Sequence, residues 1–119
     1  FGPVLSGRTV KYRKLLGGFI NVSQLQEVYG IDEDSFNKVA GWFIIDPKNV
    51  VKICIDTASW SQMRRHPYFG VDGARMIERY RRHHEIKSID DLKLMPLMND
   101  SIWNVWSPYI KVITKTDLL

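Results

Sequence analysis

The sequence predicts a mainly α-helical protein in which one helical unit occurs twice, with a short β element between the two copies. Three observations predict this: apolar residues recur at helical spacing, similar residues return after 67 or 68 positions, and helix-starting residues precede several apolar stretches. Hydrophobic residues make up 45% of the 119-residue chain, which suffices for one small folded domain or two very small ones.

Seven helices are predicted from the apolar periodicity and the helix-start residues. Asn21, Ser59 and Ser88 each stand three positions before a Gln or an Asp, which is the pattern of a capping box or a near variant of it. The predicted helices lie near residues 4–15, 22–29, 33–42, 59–66, 71–84, 89–95 and 100–107.

Residues 41–56 interrupt the helical pattern. β-branched and apolar residues flank the sequence Asp46-Pro47-Lys48-Asn49, which is a turn signal. This pattern predicts one or two short strands between the two copies. The stretch "YIKVIT" at residues 109–114 is compatible with a further strand.

The internal repeat sets the domain boundaries. "FGPVLSGRTVKYRK" from Phe1 resembles "FGVDGARMIERYRR" from Phe69, and after a one-residue slip the spacing becomes 67. Leu25, Phe36, Val39 and Trp42 then match Leu92, Trp103, Trp106 and Tyr109. We interpret residues 1–47 as the first copy, without the helix before its first hairpin, and residues 48–119 as the second copy.

Charge and composition limit the classes of function. The net charge is +4 and the pI is about 9.3, which permits a nucleic-acid or acidic partner. Six arginines against Asp72 and Glu78 give the window 60–84 the same excess as the whole chain. No apolar run approaches the length of a membrane span, and no secretory signal is present. Because the chain starts with Phe1 instead of Met, we expect it to be an excised segment.

The strongest candidate motif is the turn Pro67-Tyr68-Phe69-Gly70, which joins two predicted helices. Such a tight hairpin exposes backbone N–H groups at the start of its second helix, where phosphate oxygens bind without any reading of bases. Gly70 would let a phosphate approach the backbone, and Arg75 would add charge one turn later. Alternatively, Gly70 only permits the turn and the arginines solvate the helix. The residues alone leave both interpretations open.

From residue 53 to residue 112 the sequence resembles the tandem helix-hairpin-helix domain of the ComEA-type DNA-uptake family. The resemblance rests on "IDTA" at 55–58, "PYFG" at 67–70, "YR" at 80–81, "SIDDL" at 88–92 and "PYIKV" at 108–112. Residues 15–36 resemble the same unit again, with "YGID" at 29–32 in the place of a second hairpin.

The resemblance implies tandem helix-hairpin-helix repeats of the SAM-like, or RuvA domain 2-like, fold. It further implies binding of double-stranded DNA without sequence preference, through hairpin backbone groups, with a role in competence and DNA uptake and an envelope or periplasmic location. The nucleic-acid-binding residues that follow are Tyr68, Phe69, Gly70, Val71 and Gly73 at the hairpin, Arg64, Arg65, Arg75 and Arg79 beside it, and Gly2 and Arg8 in the first copy.

Several positions depart from the family pattern. Tyr68 replaces the first hairpin glycine, and "PLMN" at 96–99 keeps neither glycine of the last hairpin. In the first copy, Asp32, Glu33 and Asp34 crowd the place where a phosphate would lie and would repel it. We therefore expect the hairpin at Gly70 to be the best preserved, with Gly2 as its twin.

The remaining polar and aromatic residues predict neither catalysis nor a cofactor. His66, His83 and His84 lack the partners of a metal site, and no nucleophile elbow, P-loop or dinucleotide fingerprint is present. The four tryptophans fall at apolar helical positions and are predicted in the core: Trp42, Trp60, Trp103 and Trp106. The expected partner is double-stranded DNA; the alternative is a protein-interaction or scaffolding module on a degenerate helix-hairpin-helix frame.

Overall fold

The computed structural model describes residues 2–113, and helices dominate them, which confirms the predicted mainly α fold. Five α-helices are α1 (Pro3–Leu16), α2 (Glu33–Val39), α3 (Trp60–Arg65), α4 (Gly70–Arg81) and α5 (Asp100–Trp106). Short 3-10 helices span Val22–Glu27, Ala40–Trp42, Pro47–Asn49, Ile89–Leu94 and Ser107–Tyr109. The strands are β1 (Ile53–Cys54) and β2 (Ile110–Lys111).

The chain forms two compact units, Phe1–Val51 (unit 1) and Lys52–Leu119 (unit 2). The predicted copies divide between residues 47 and 48, a few residues before this boundary.

Unit 1 packs α1 against the helical segments that follow it. Leu16 and Leu25 are fully buried, and Phe19, Val28 and Val39 complete the centre of this core. The Asn21 carboxamide accepts the Ser23 N–H at 2.7 Å and so starts the 3-10 helix Val22–Glu27. The predicted capping residue therefore begins the predicted element.

Unit 2 has a larger core, and a parallel strand pair joins its two ends. Ile53 lies opposite Ile110 and Cys54 opposite Lys111, and the Ile55 N–H donates to the Lys111 carbonyl at 2.9 Å. Ile55, Met63, Ile77, Leu92 and Ile110 are among the side chains that fill the core beneath this pair.

The predicted β element is shorter than expected. Strand structure between the copies is confined to Ile53–Cys54. Residues 43–46 belong to no helix or strand, and Pro47–Asn49 form a 3-10 turn because the Asp46 carboxylate accepts the Lys48 N–H at 3.0 Å. The predicted strand near residues 109–114 is present as Ile110–Lys111; residue 114 lies outside the described residues.

Three pairs of elements recur with a spacing of 67 residues. Val22–Glu27 returns as Ile89–Leu94, Glu33–Val39 as Asp100–Trp106, and Ala40–Trp42 as Ser107–Tyr109. The bounds within each pair differ by the same 67 positions at both ends. The 67-residue spacing between similar residues in the sequence is thus also the spacing between these helices.

The predicted burial of Trp42 is wrong. Its side chain is 77% exposed, whereas Trp106 is buried and Trp60 and Trp103 are half-buried. The counterpart of Trp42 at the 67-residue spacing is Tyr109, which is fully buried in unit 2.

Candidate nucleic-acid interface

The predicted hairpin joins α3 to α4 in unit 2. The Ser59 hydroxyl accepts the Gln62 N–H at 3.1 Å and starts α3, which ends at Arg65. Gly70 begins α4 with a φ of +59°, a conformation that favours glycine. Apart from its chain neighbours and the backbone of its own helix, no atom lies within 4 Å of the position that a Cβ of residue 70 would take, so the backbone is open to approach there.

Most N–H groups of the hairpin already have acceptors within it. The Phe69 and Gly70 N–H groups both donate to the His66 carbonyl, at 3.2 and 3.0 Å, and the Tyr68 N–H donates to His66 Nδ1 at 3.1 Å. The predicted phosphate capture by the N–H groups of Phe69 and Gly70 is therefore corrected: in this conformation His66 holds these donors.

The available donors lie one residue further along the chain. Within residues 2–113, the Val71 and Asp72 N–H groups in the first turn of α4 donate no hydrogen bond. N–H groups of this kind, at the positive end of a helix dipole, are suited to an anion. The Asp72 carboxylate in the same turn opposes this effect, so the helix end alone is a weak phosphate site.

Gly73 and the Phe69 ring are structural, which corrects their prediction as binding residues. A Cβ at Gly73 would lie 3.0 Å from the Trp106 ring and 3.1 Å from the Phe69 Cβ. Gly73 is buried, and Phe69 is only 4% exposed. The Trp106 indole N–H also donates to the Tyr68 carbonyl at 3.1 Å, so these residues lock the hairpin onto α5.

The six arginines of the hairpin divide into three groups. Arg81 Nη1 donates to the Ile55 and Ala58 carbonyls, at 3.2 and 2.8 Å, and is therefore structural. Arg82 pairs with Glu78 at 2.9 Å. The other four are exposed, and no carboxylate of the described residues lies within 4.0 Å of their guanidinium groups: Arg64, Arg65, Arg75 and Arg79.

Two of these free arginines share a surface depression with an indole ring. Trp60, Arg75, Glu78, Arg79 and Arg82 line a depression of about 520 Å³. Three cations face one carboxylate there, so the depression favours an anion. Trp60, which was predicted in the core, is half-buried and lines this depression.

The predicted residues of the first copy lie in unit 1. Gly2 is exposed and caps α1 with a φ of −84°, so it does not share the backbone conformation of Gly70. The Arg8 guanidinium lies over the Tyr29 ring, 4.9 Å from its centre, and donates to the Tyr29 carbonyl at 3.2 Å. Arg8 thus braces the loop at Gly30, and this engagement was not predicted.

The second hairpin of unit 1 carries the acidic residues that were expected to repel phosphate. The Asp32 carboxylate caps α2 by accepting the Ser35 N–H at 2.8 Å, and this hydrogen bond is the main reason that the pKa of Asp32 is lowered. Glu33 and Asp34 follow in the first turn. This helix end therefore carries negative charge.

Residues 2–113 contain neither a metal-binding cluster nor a helix that could span a membrane. No three His, Cys, Asp or Glu side chains of this part of the chain are grouped so that they could hold a metal ion. None of its helices has both the length and the apolar composition needed to cross a membrane.

Comparison with known proteins gives a match for one part of the chain, through a family model. No curated protein and no solved structure matches the chain. The helix-hairpin-helix motif is generally associated with DNA binding without sequence preference. Residues 1–44, which contain α1, the 3-10 helix Val22–Glu27 and α2, match the family model of the helix-hairpin-helix motif.

Proposed function

We propose that this protein binds double-stranded DNA without sequence preference, through phosphate contacts around the α3–α4 hairpin of unit 2. The observation that carries the proposal is the set of four exposed arginines without carboxylate partners: Arg64, Arg65, Arg75 and Arg79. Unpaired guanidinium groups suit phosphate oxygens, because their planar array of donors matches them and their charge replaces counterions.

The mechanism combines fixed donors with mobile charges. A phosphate approaches α4 over the open backbone at Gly70 and takes the Val71 and Asp72 N–H groups. Arg75 offsets the Asp72 carboxylate, while Arg64 and Arg65 at the end of α3 contact neighbouring phosphates. None of these contacts reads a base edge, so affinity is independent of sequence and falls with salt.

We further propose that the two units arose by duplication of one helix-hairpin-helix unit and that DNA binding serves DNA uptake. The 67-residue recurrence of three element pairs supports the duplication. The ComEA-like motifs of residues 53–112 support the process. The same resemblance makes a binding role preferable to a catalytic one.

Fluorescence anisotropy with a labelled random-sequence duplex tests the proposal. Binding should be micromolar or weaker at physiological salt. Arg75→Glu should remove most of it, because it adds a second carboxylate beside Asp72. Arg82→Glu is the matched control on the same helix and should have a smaller effect, since Arg82 already pairs with Glu78. Absence of binding at low salt, or equal effects of the two variants, would refute the hairpin site.

A protein-interaction module is the second candidate function. Exposed apolar side chains favour it: Ile44 is 96% exposed in unit 1 and Leu97 is 79% exposed in unit 2. Such side chains attract protein partners more readily than phosphates. A protein that ignores duplex DNA at low salt but retains the folded state would favour this alternative.

A further inference from the structure

The depression along α4 extends well beyond the hairpin. Trp60, Arg75, Glu78, Arg79 and Arg82 line it, and its volume of about 520 Å³ lies in the range of small-ligand pockets. The three arginines share one face of α4, because they are spaced four and three residues apart. Arg79 lies roughly 13 Å along the helix axis from the first residue of α4. It therefore serves a different anion from one held at the hairpin.

Two guanidinium groups in the depression are free. Arg82 donates to Glu78 Oε1 at 2.9 Å, so these two charges offset each other. Arg75 and Arg79 have neither a hydrogen-bond nor an ion-pair partner within the described residues. They lie one helical turn, about 6 Å, apart along the axis. Successive anionic groups of one ligand can therefore each meet a guanidinium.

The Trp60 indole is the second feature of the depression. It packs in part against the core of unit 2 and is half-buried. Trp106 packs against the Phe69 ring with centres 4.8 Å apart, and the Lys93 ammonium lies 4.8 Å from the centre of the Trp103 ring. Within residues 2–113, by contrast, Trp60 makes no ring contact, no cation–π contact and no indole hydrogen bond. This indole is thus available to an aromatic ligand.

A nucleotide combines the two properties that the depression requires. Its base is an aromatic plane that stacks on an indole, and its phosphate matches the planar donors of a guanidinium. An acidic peptide satisfies the arginines as well, but only an occasional aromatic residue of it would engage the indole. Base faces inside a duplex are covered by neighbouring pairs, so a depression of this size admits a base only outside the stack.

We propose that the depression defined by Trp60, Arg75 and Arg79 binds an unpaired nucleotide of a DNA strand. The base stacks on Trp60, and the adjoining phosphates contact Arg75 and Arg79. The protein accordingly prefers duplex DNA with a single-stranded extension over blunt duplex. This inference rests on the phosphate contacts of Arg75 and Arg79 in the proposed function, and it adds the class of DNA that is selected. Because every base has an aromatic face, the preference is for structure and not for sequence.

Fluorescence anisotropy with two labelled duplexes of the same sequence, one blunt and one with a short single-stranded extension, tests the inference on the full 119-residue chain. The extended duplex should bind about tenfold more tightly, because stacking on the indole is added. Trp60→Leu should remove most of this gain and leave the affinity for blunt duplex unchanged. Trp60→Phe should keep most of the gain, because an aromatic ring is retained.

Trp103→Leu is the matched control. Trp103 is also half-buried in unit 2, but Lys93 lies over its ring, so its variant should bind both duplexes like the wild type. A measurement on the wild type avoids any loss of folding in the variants. The NMR signal of the Trp60 indole N–H should shift with the extended duplex and not with the blunt one.

The outcomes separate this inference from the proposed function. Equal affinity for both duplexes would overturn the inference and leave duplex binding intact. Binding of the extended duplex alone would refute duplex binding and support the base site, whereas no binding of either at low salt would refute both.

Two competitors identify the ligand class. Displacement of the extended duplex by polyglutamate as effective as that by single-stranded DNA would overturn the base site in favour of an acidic partner. If free dAMP bound as tightly as the extended duplex, the ligand would be a free nucleotide and not a DNA strand. Equal losses of the gain in Trp60→Leu and Trp103→Leu would also contradict the inference.

Discussion

Leu97 has a backbone conformation that leucine rarely adopts. Its φ is +71°, and its side chain is 79% exposed, so no burial offsets the strain. The residue 67 positions earlier is Gly30, with a φ of +92°. The turn at Leu97 therefore has the left-handed conformation that Gly30 has 67 residues earlier, although leucine occupies it.

We expect Leu97→Asn to stabilise the protein by roughly 0.5–1 kcal/mol, because asparagine tolerates the left-handed region and little apolar burial is lost. Urea denaturation followed by tryptophan fluorescence measures the difference. Leu94→Asn is the control, since Leu94 is 76% exposed but has no positive φ. Equal effects of the two substitutions would mean that surface apolarity, not the backbone, explains the gain.

The accuracy of the residue-level predictions depended on side-chain contacts. Gly70 was correctly identified as the opening of the hairpin, because glycine at a short turn signals a special backbone conformation. Gly73 was included among the predicted binding residues, but it packs against Trp106, 33 positions away, and no local pattern reveals that contact. His66 likewise accepts the N–H groups of Tyr68, Phe69 and Gly70. Most hairpin N–H groups that the sequence suggested were free are therefore already bonded.

At the scale of elements, Arg81 ties the C-terminal end of α4 to the turn before α3. Its two hydrogen bonds go to the Ile55 and Ala58 carbonyls, and the side chain is half-buried. We expect Arg81→Gln to destabilise unit 2 by about 2–3 kcal/mol, because charge-assisted bonds are lost and two carbonyls lose their donor. Chemical denaturation measures this loss.

Arg82→Gln provides the matched control for that prediction. Arg82 is the next residue on the same helix, and its pair with Glu78 is exposed to solvent. Its loss should cost less than about 0.5 kcal/mol. If both variants unfolded at the same denaturant concentration, the Arg81 bonds would be of no consequence for unit 2.

The start of the 3-10 helix Ile89–Leu94 makes stability depend on pH. The Asp91 carboxylate accepts the Lys87 and Ser88 N–H groups at 2.8 and 3.1 Å, and these bonds lower the pKa of Asp91. A lowered pKa in the folded state means that the stabilisation is complete above the unfolded pKa and is lost as the pH falls through the folded one. The difference in unfolding free energy between wild type and Asp91→Asn should therefore shrink steadily below about pH 4.

Asp90→Asn is the control that distinguishes this capping effect from the loss of any neighbouring carboxylate. Asp90 makes only an exposed pair with Lys93 at 3.2 Å. Its variant should follow the pH dependence of the wild type. A constant gap between wild type and Asp91→Asn from neutral to acid pH would contradict the assigned role of Asp91.

The element predictions succeeded where local chemistry decides and failed where distant contacts decide. Asn21 and Ser59 start the elements they were expected to start, because capping involves neighbours in sequence. Of the one or two short strands predicted within residues 41–56, one is present, Ile53–Cys54, because Ile110–Lys111 gives it a partner. The burial predicted for Trp42 was wrong because burial depends on distant contacts. Its counterpart Tyr109 is buried by the rings of His66 and Tyr68, which follow α3.

At the scale of the whole molecule, the match to the family model lies in unit 1, whereas the excess of basic residues lies mainly in unit 2. Unit 1 carries the family match, yet its six basic residues are nearly balanced by five acidic ones. Unit 2 has eleven basic against eight acidic residues and all four free arginines of the hairpin. A match to a fold depends largely on the apolar residues that build its core. Affinity for phosphate depends instead on a few surface charges, which the core residues do not determine.

The salt dependence of DNA binding tests this assignment quantitatively. If four arginines each neutralise one phosphate, log K should fall with log salt concentration with a slope of about −3.6, on the order of a hundredfold between about 50 and about 200 mM salt. Arg75→Gln should reduce the slope by about 0.9, because one counterion fewer is released. Arg82→Gln should leave it nearly unchanged, since Glu78 already neutralises that guanidinium. A slope near −1, or equal reductions by both variants, would mean that DNA meets a diffuse basic surface and that the free arginines of the hairpin do not act as a set.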